Sequence, residues 1–157
     1  MNLRKRNDDY KGELCENLFL NKFTQYKKKS NNKFDTTDFK HKTKNKMIEL
    51  KSRNYNFNHC NDWKVGLNKI NEASKYFKSG GSFYIYMMFY DGLYFWKFHP
   101  DKINQKQITK DKRVDRGKTE IGIHYNIKTT EFTKSKINIC NPLNLNDLKN
   151  VNECLID

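Results

Sequence analysis

Apolar residues recur at helical spacing near the start of the chain and predict its first helix. Asn7 or Asp8 is a candidate N-cap, and the lysines at 27–29 would complement the helix dipole in the last turn. Glu16 lies at the edge of the buried side, since Leu20 and Phe23 follow it at i+4 and i+7. The buried stripe of this helix, with its i, i+4 recurrence, consists of Leu14, Leu18, Phe19, Phe23 and Tyr26.

The segment at 47–53, MIELKSR, alternates apolar and polar side chains as a half-buried strand does. Ile48 and Leu50 then point to one face of the strand, and Glu49, Lys51 and Arg53 point to the other. The polar stretch 41–45 is expected to turn the chain back, so that the residues before it pair with this strand as a hairpin. A carboxylate and an ammonium consequently share one face of the predicted hairpin.

A second helix is predicted after a surface loop at 54–61. Asn61 or Asp62 would cap it, and it is expected to run to about Lys78, where Gly80 and Gly81 stop it. Its buried face would be formed by Ile70, Ala73 and Phe77.

The most hydrophobic stretch, 82–98, predicts a β-hairpin with a primed turn at Asp91-Gly92. In the two apolar segments on either side of this turn, apolar and polar residues do not alternate cleanly. This is typical of strands covered on both faces, so we expect the hairpin in the middle of the sheet. Its aromatic residues also allow a stacking platform for single-stranded bases. We favour a core role, because a platform needs interleaved basic side chains and Lys97 alone is present. The aromatic residues concerned are Tyr84, Tyr86, Tyr90, Tyr94 and Trp96.

Residues 99–120 are polar and rich in basic side chains, and they predict a long basic loop. Alternating isoleucine and tyrosine at 121–127 predict a further strand, with His124 exposed on its opposite face. A short helix is expected near 145–151. The length of 157 residues leaves room for a single domain, 1–157, with one core.

Composition adds a strong positive charge to this pattern. The chain has 31 lysine and arginine residues against 18 aspartate and glutamate, a net charge of +13. A polyanionic partner is therefore expected, with nucleic acid favoured and an anionic membrane surface as the competitor. No run of about 18 apolar residues is present, so no segment is expected to span a bilayer.

The remaining compositional signals concern location. The N-terminus lacks the apolar region of a secretion signal, and the four cysteines form no C-x-x-C pair. We therefore expect an intracellular, reduced protein.

The predicted hairpin would bring an aspartate next to Glu49. Asp38 has the spacing that just allows this, and Asp35 is the alternative. Two hard oxygen ligands would then surround one point, an arrangement that suits Mg²⁺, with Lys51 beside it to orient or activate a water. The competing interpretation is a solvated strand face with a surface ion pair, which contributes little stability.

Asp38 followed by Glu49-Leu50-Lys51 resembles the signature of the PD-(D/E)XK nuclease superfamily, and the stretch 11–16, KGELCE, resembles the first helix of many members. Thr37 stands where the family name has proline. The resemblance covers about 11–98. It implies an α/β fold with a restriction-endonuclease-like core, in which helices flank a central mixed β-sheet. It also implies an Mg²⁺-dependent endonuclease acting on DNA, with Mn²⁺ able to substitute.

The resemblance further implies a catalytic site. Asp38 and Glu49, with the backbone carbonyl of Leu50, would hold the metal. Lys51 would position the attacking water and stabilise negative charge as it develops. Glu16 would act through water or a second metal.

Several roles stay open. Glu13 is a weaker candidate for the role of Glu16, and Glu16 is alternatively a surface residue paired with Lys22 or another neighbour. In the resembled family the helix after the Glu-x-Lys strand lends a polar or basic side chain to the site, here Asn68 or Lys69. Phosphate contacts would come from Arg53, Lys69, Arg113, Arg116 and Lys118.

A non-catalytic basic domain that binds DNA or RNA is the alternative function, since it needs the charge but not the acidic pair. The sequence also leaves open whether the protein nicks one strand or cuts both as a homodimer. Enzymes of restriction, repair, resolution and host-DNA degradation have the same kind of active site, so the sequence does not distinguish these roles.

Overall fold

Two α-helices and nine β-strands form the part of the chain that a computed structural model describes, residues 3–29, 38–113 and 120–142. The helices are α1 (Leu3–Lys22) and α2 (Leu67–Lys78). The strands are β1 (Tyr26–Lys28), β2 (Phe39–His41), β3 (Lys46–Ser52), β4 (Asp62–Gly66), β5 (Ser82–Phe89), β6 (Gly92–Lys97), β7 (Ile108–Arg113), β8 (Glu120–Lys128) and β9 (Thr133–Lys134). Neither helix is long and apolar enough to cross a membrane.

The larger sheet is mixed and has the strand order β1-β2-β3-β5-β6-β9. β3 and β5 run parallel, whereas the other neighbouring pairs are antiparallel. The chain reaches β5 from β3 through β4 and α2, as a parallel pair requires a long crossover. A central mixed sheet flanked by helices confirms the fold class that the sequence predicts.

Both faces of the larger sheet are covered, which explains the unbroken apolar run of β5. Phe83, Ile85 and Met87 pack in one cluster with Ile70 and Ala73 of α2. On the other face, Phe19 and Cys15 of α1 pack with Ile48, Leu50 and Phe39. The β5–β6 hairpin lies inside the sheet, as predicted, and Trp96 and Tyr86 have core contacts that confirm their core role.

The first helix both begins and ends earlier than predicted. It starts at Leu3, so Asn7 and Asp8, the predicted N-caps, lie inside it. It ends at Lys22 instead of continuing to 27–29, and Tyr26–Lys28 forms an edge strand in which Tyr26 pairs with His41. Tyr26 is buried beside Phe19. Burial of this aromatic ring at the edge of the sheet therefore outweighs the lysine signal of a helix C-terminus.

The second helix begins later than predicted, at Leu67. Residues 62–66 form β4 instead, with Trp63 and Val65 buried and their neighbours exposed or half-buried. β4 pairs with the distant β8, from Asp62 opposite Lys128 to Gly66 opposite His124. This long-range pairing, which leaves no local signal, decides between strand and helix.

The prediction of a basic loop at 99–120 is wrong for part of that segment. Ile108–Arg113 forms β7, which pairs with β8 in a smaller sheet of order β4-β8-β7. β8 itself confirms the strand predicted at 121–127, but Tyr125 and Ile127 alone carry its alternation into the core. His124, predicted to be exposed, is half-buried beside Asp111. The helix predicted near 145–151 lies outside the described residues.

The turn of the apolar hairpin lies one residue earlier than predicted. Phe89 pairs with Gly92, so the turn consists of Tyr90 and Asp91. A primed turn would need a positive φ at Tyr90, and no described residue other than glycine has one. The Asp91 carboxylate accepts a hydrogen bond from Phe57 N at 2.9 Å, which holds the preceding loop against the turn.

Candidate active site

Glu49 lies in the middle of β3 and is 1% exposed. Strand alternation turns it toward the face covered by α2, on the same side as Met47 and Lys51. One carboxylate oxygen, Oε1, lies 2.8 Å from Nζ of Lys51 and 3.2 Å from Nζ of Lys69. The other oxygen, Oε2, is buried and has no hydrogen-bond partner among the described residues. A buried acceptor in this state needs an explanation, and an ion is one of the few available.

Asp38 lies just before β2, beside the strand that carries Glu49. Phe39 pairs with Ile48, and Asp38 N also donates to Ile48 O, at 3.1 Å. Its Oδ2 accepts a hydrogen bond from Leu50 N at 2.7 Å. The charge of Glu49 acts on the Asp38 carboxyl, so the two carboxylates lie close together at the end of the hairpin.

The environment of Asp38 favours its neutral form. Burial is the main cause, the charge of Glu49 adds to it, and together they raise the pKa of Asp38 to about 7. The hydrogen bond from Leu50 and the charge of Lys51 act in the opposite direction but are outweighed. Negative potential is thus concentrated between Asp38 and Glu49, where a bound cation would relieve it.

Glu16 borders the same acidic point from α1. Burial is the main cause that raises its pKa, and the charge of Glu49 contributes a smaller part. Its Oε2 lies 3.7 Å from Nζ of Lys28 on β1, so its partner is Lys28 and not the Lys22 weighed from the sequence. Glu13 is exposed one turn earlier. Glu16 is consequently nearer to the site than Glu13 but is engaged by a lysine.

The carboxylate pair fits a hard divalent cation. Within residues 3–29, 38–113 and 120–142, no group of three or more His, Cys, Asp or Glu side chains is close enough to hold a metal ion. Mg²⁺, however, commonly takes one or two carboxylates and completes its shell with water and substrate oxygens. The Oε2 of Glu49, which has no hydrogen-bond partner among the described residues, and the raised pKa of Asp38 both fit such a site. Asp35, the alternative ligand, lies outside the described residues.

The basic residues expected to bind phosphate differ in placement. Lys69 points inward from the first turn of α2 and contacts Glu49. Arg53 is half-buried, and burial lowers its pKa; its Nη1 donates to Ser52 O at 2.9 Å. It is therefore not a freely exposed phosphate contact. The side chains of Arg113, Arg116 and Lys118 lie outside the described part of the chain.

Two residues of the site were not found from the sequence. Lys28 is one of them, since its ammonium contacts the carboxylate of Glu16. Asn141, which is buried, donates from Nδ2 to the carbonyl oxygen of Arg53 at 2.9 Å and so holds the chain just after β3. Neither residue carries a local sequence signal, since one is among many lysines and the other is a lone asparagine near the end of the chain.

The raised pKa of Asp38 predicts how stability depends on pH without metal. Between its ordinary value of 3.8 and about 7, the folded state keeps a proton that the unfolded state releases. Stability from this group is therefore greatest below about pH 4 and is lost as the pH rises toward 7. Asp38→Asn keeps an acceptor for Leu50 N and removes the charge. In EDTA we expect the unfolding temperature of this variant, relative to that of the parental protein, to increase as the pH rises from 5 to 8.

The control for this experiment is Asp62→Asn, at an exposed aspartate that begins β4. A difference between Asp38→Asn and the parental protein that is the same at pH 5 and pH 8 would contradict the prediction.

Residues 20–135 match a family model described as "phage putative PDDEXK endonuclease". The matched segment is more than half of the chain and contains Asp38, Glu49, Lys51 and Lys69, whereas Glu16 lies before it. No curated protein and no solved structure matches the chain.

Proposed function

Because the chain belongs to the phage PD-(D/E)XK endonuclease family, we propose that it hydrolyses phosphodiester bonds of DNA with a divalent metal ion, Mg²⁺, which Mn²⁺ can replace. The observation that carries the proposal is the carboxylate of Glu49. It is buried, two ammoniums contact its Oε1, and its Oε2 has no partner among the described residues. A purely structural ion pair would give no reason to leave that oxygen unpaired beside a second carboxylate, that of Asp38.

The metal would be held by Asp38, Glu49 and the backbone carbonyl of Leu50. When bound, it would supply Lewis acidity and activate a water molecule for attack on phosphorus. In the reaction, the water oxygen forms a bond to phosphorus and releases a proton to solvent, and one P–O ester bond breaks. The leaving oxygen takes a proton from solvent.

The two lysines at Glu49 would have different tasks. The side chain of Lys51 is 34% exposed, so its ammonium can approach both a water molecule and a substrate phosphate from the open side. The side chain of Lys69 is 14% exposed and approaches Glu49 from α2. Lys51 therefore places positive charge where negative charge develops in the transition state, and Lys69 holds Glu49 in position.

Glu16 would act at a distance, through water or a second ion, because Lys28 engages its carboxylate. The net charge of +13 supports DNA as the partner, since a polyanion offsets the self-repulsion of the protein. A homodimer would provide the second site needed to cut both strands.

The direct test is incubation of the protein with supercoiled, linear and branched DNA, in Mg²⁺, in Mn²⁺ and in EDTA. We expect nicked or linear products with either metal and none in EDTA. Binding of DNA without any metal-dependent cleavage would instead favour the non-catalytic nucleic-acid-binding domain.

Removal of one carboxylate should identify the aspartate ligand. Asp38→Asn is expected to abolish Mg²⁺ and Mn²⁺ binding, because a single carboxylate is a poor site for a cation that surrenders water reluctantly. Asp35→Asn should bind metal as the parental protein does. Calorimetric titration measures both. Loss in Asp35→Asn alone would move the ligand by three residues along the chain and preserve the mechanism.

A further inference from the structure

β7 and β8 form a two-stranded ribbon that extends beyond β4. β4 ends at Gly66, opposite His124, so no described strand pairs with residues 120–123 of β8 on that side. On the other side, Lys110 lies opposite Ile123 and Lys112 lies opposite Ile121. Directly opposed residues share a face. We call the surface formed by these four side chains the ribbon face.

The ribbon face is exposed and mixes apolar and cationic groups. Ile121 is 68% exposed and Ile123 is 39% exposed, although they continue the row of Tyr125 and Ile127, which are fully buried. Lys110 and Lys112 are both exposed, and no described residue forms an ion pair with either. The apolar row of β8 thus leaves the core and reaches the surface between two lysines.

The ribbon lies across a cavity from the helix that carries Lys69. This cavity, of about 510 Å³, is lined by Ile123 of the ribbon face and its two neighbours in β8, and by Asn68 and Asn71 near the start of α2. Lys69, from the first turn of that helix, contacts Glu49 Oε1 at 3.2 Å. One turn of helix therefore connects the wall of this cavity to the catalytic carboxylate.

We propose that the ribbon face is a docking surface for the duplex DNA that flanks the cleaved phosphodiester. This inference rests on the proposed function. Lys110 and Lys112 bind phosphates, while Ile121 and Ile123 contact sugars or thymine methyl groups. A two-stranded β-ribbon has the width of the major groove, and lysine with apolar side chains matches the groups displayed there.

Charge favours DNA over a second copy of the chain as the occupant. In a symmetric dimer the same surface would face itself and bring four lysines together. The one acidic residue within β7, Asp111, points to the opposite face, where it pairs with Lys64. The ribbon face therefore repels its own copy and attracts a polyanion.

The lysines are tested by binding of a labelled duplex in EDTA at several salt concentrations. For Lys110→Gln with Lys112→Gln, the slope of log affinity against log salt should become shallower by about two, because each phosphate contact releases about 0.9 of a counterion. The matched control, Lys75→Gln with Lys78→Gln, removes the same charge from the last turn of α2 and should leave the slope unchanged. Equal slopes in both double variants would overturn the proposal.

The isoleucines are tested in the same assay. Ile121→Ser with Ile123→Ser should lower affinity about tenfold at every salt concentration with no change in slope, because the lost contact is apolar. Ile137→Ser, at a side chain 37% exposed, is the control. If the double variant unfolds at a lower temperature than the parental protein, Ile121→Ser alone replaces it. An isoleucine variant that binds DNA with parental affinity would overturn the proposal. So would sedimentation showing that the parental protein is a dimer and the isoleucine variant is a monomer.

Cleavage by the parental protein distinguishes the two ideas. If it cuts DNA and the ribbon variants bind as it does, the docking surface is wrong and the nuclease assignment stands. If it binds DNA without cutting and the ribbon variants lose affinity, the docking surface stands and the nuclease assignment is wrong.

Discussion

Glu49→Gln is expected to reduce metal-dependent cleavage to the level seen in EDTA. Glutamine keeps the size and one oxygen of the side chain but removes the charge that a hard cation requires. Binding of Mg²⁺ should be lost in the same variant. DNA binding in EDTA should persist or tighten, because a negative charge disappears from a site that receives phosphate.

The same substitution has a second consequence in the free protein. Lys51 and Lys69 both contact Glu49 Oε1, and they would face each other without their shared partner. Breaking a buried ion pair costs about 3–5 kcal/mol, and solvent at Lys51 reduces this, so we expect a loss of about 2 kcal/mol in unfolding free energy. Thermal unfolding measures it, and the assay temperature must lie below the transition of the variant.

Asp101→Asn is the matched control for Glu49→Gln, since it removes one exposed carboxylate from the turn that follows β6. It should cleave DNA and bind metal as the parental protein does. Parental rates of cleavage in folded Glu49→Gln would remove the catalytic role from this carboxylate and with it the nuclease assignment of the site.

Those features of the site that depend on neighbouring residues could be predicted from the sequence. The period of two along 47–53 predicts that Glu49 and Lys51 share a face, and the structure pairs them at 2.8 Å. The length of the polar connection predicts the hairpin that brings Asp38 close to Glu49. Both inferences need only strand geometry and a short turn, which local sequence determines.

Features that depend on distant pairing could not be predicted. Trp63 and Val65 form a strand because β8, about sixty residues later, supplies the partner. For the same reason β7 was predicted as part of a loop. Its lysines give no strand signal in the sequence, and only the pairing with β8 places them on one face. Asn141 reaches the carbonyl of Arg53 across a large separation in sequence. In each case tertiary contacts, and not intrinsic preference, decide the conformation.

The two ammoniums at Glu49 make the two carboxylates of the site differ in charge, which determines how metal affinity depends on pH. In the free protein they neutralise a carboxylate that would otherwise be buried without a partner. Asp38, which has no lysine at ion-pair distance among the described residues, is instead pushed toward its neutral form. A cation would therefore displace a proton from Asp38 when it binds below about pH 7, so that its affinity should rise with pH.

Lys51→Ala should lower the single-turnover rate of cleavage by about 10²–10³-fold at saturating Mg²⁺ and DNA, the range seen when one group that stabilises transition-state charge is removed. Affinity for DNA should change little, since Lys51 is one positive charge among many. Affinity for metal should stay the same or increase, because an ammonium leaves the neighbourhood of the cation.

Lys69→Ala provides the comparison, because its ammonium contacts the same oxygen of Glu49 but its side chain is less exposed, at 14% against 34% for Lys51. If Lys69 only holds Glu49 in position, this variant should cleave more slowly than the parental protein at low Mg²⁺ and recover when Mg²⁺ is raised, since the ion can then hold the carboxylate instead. Lys51→Ala should not recover, because no amount of metal replaces a charge directed at the reacting phosphate. A parental rate in Lys51→Ala would show that the lysine beside Glu49 serves the fold alone, and recovery at high Mg²⁺ would mean that Lys51 positions Glu49 as Lys69 does.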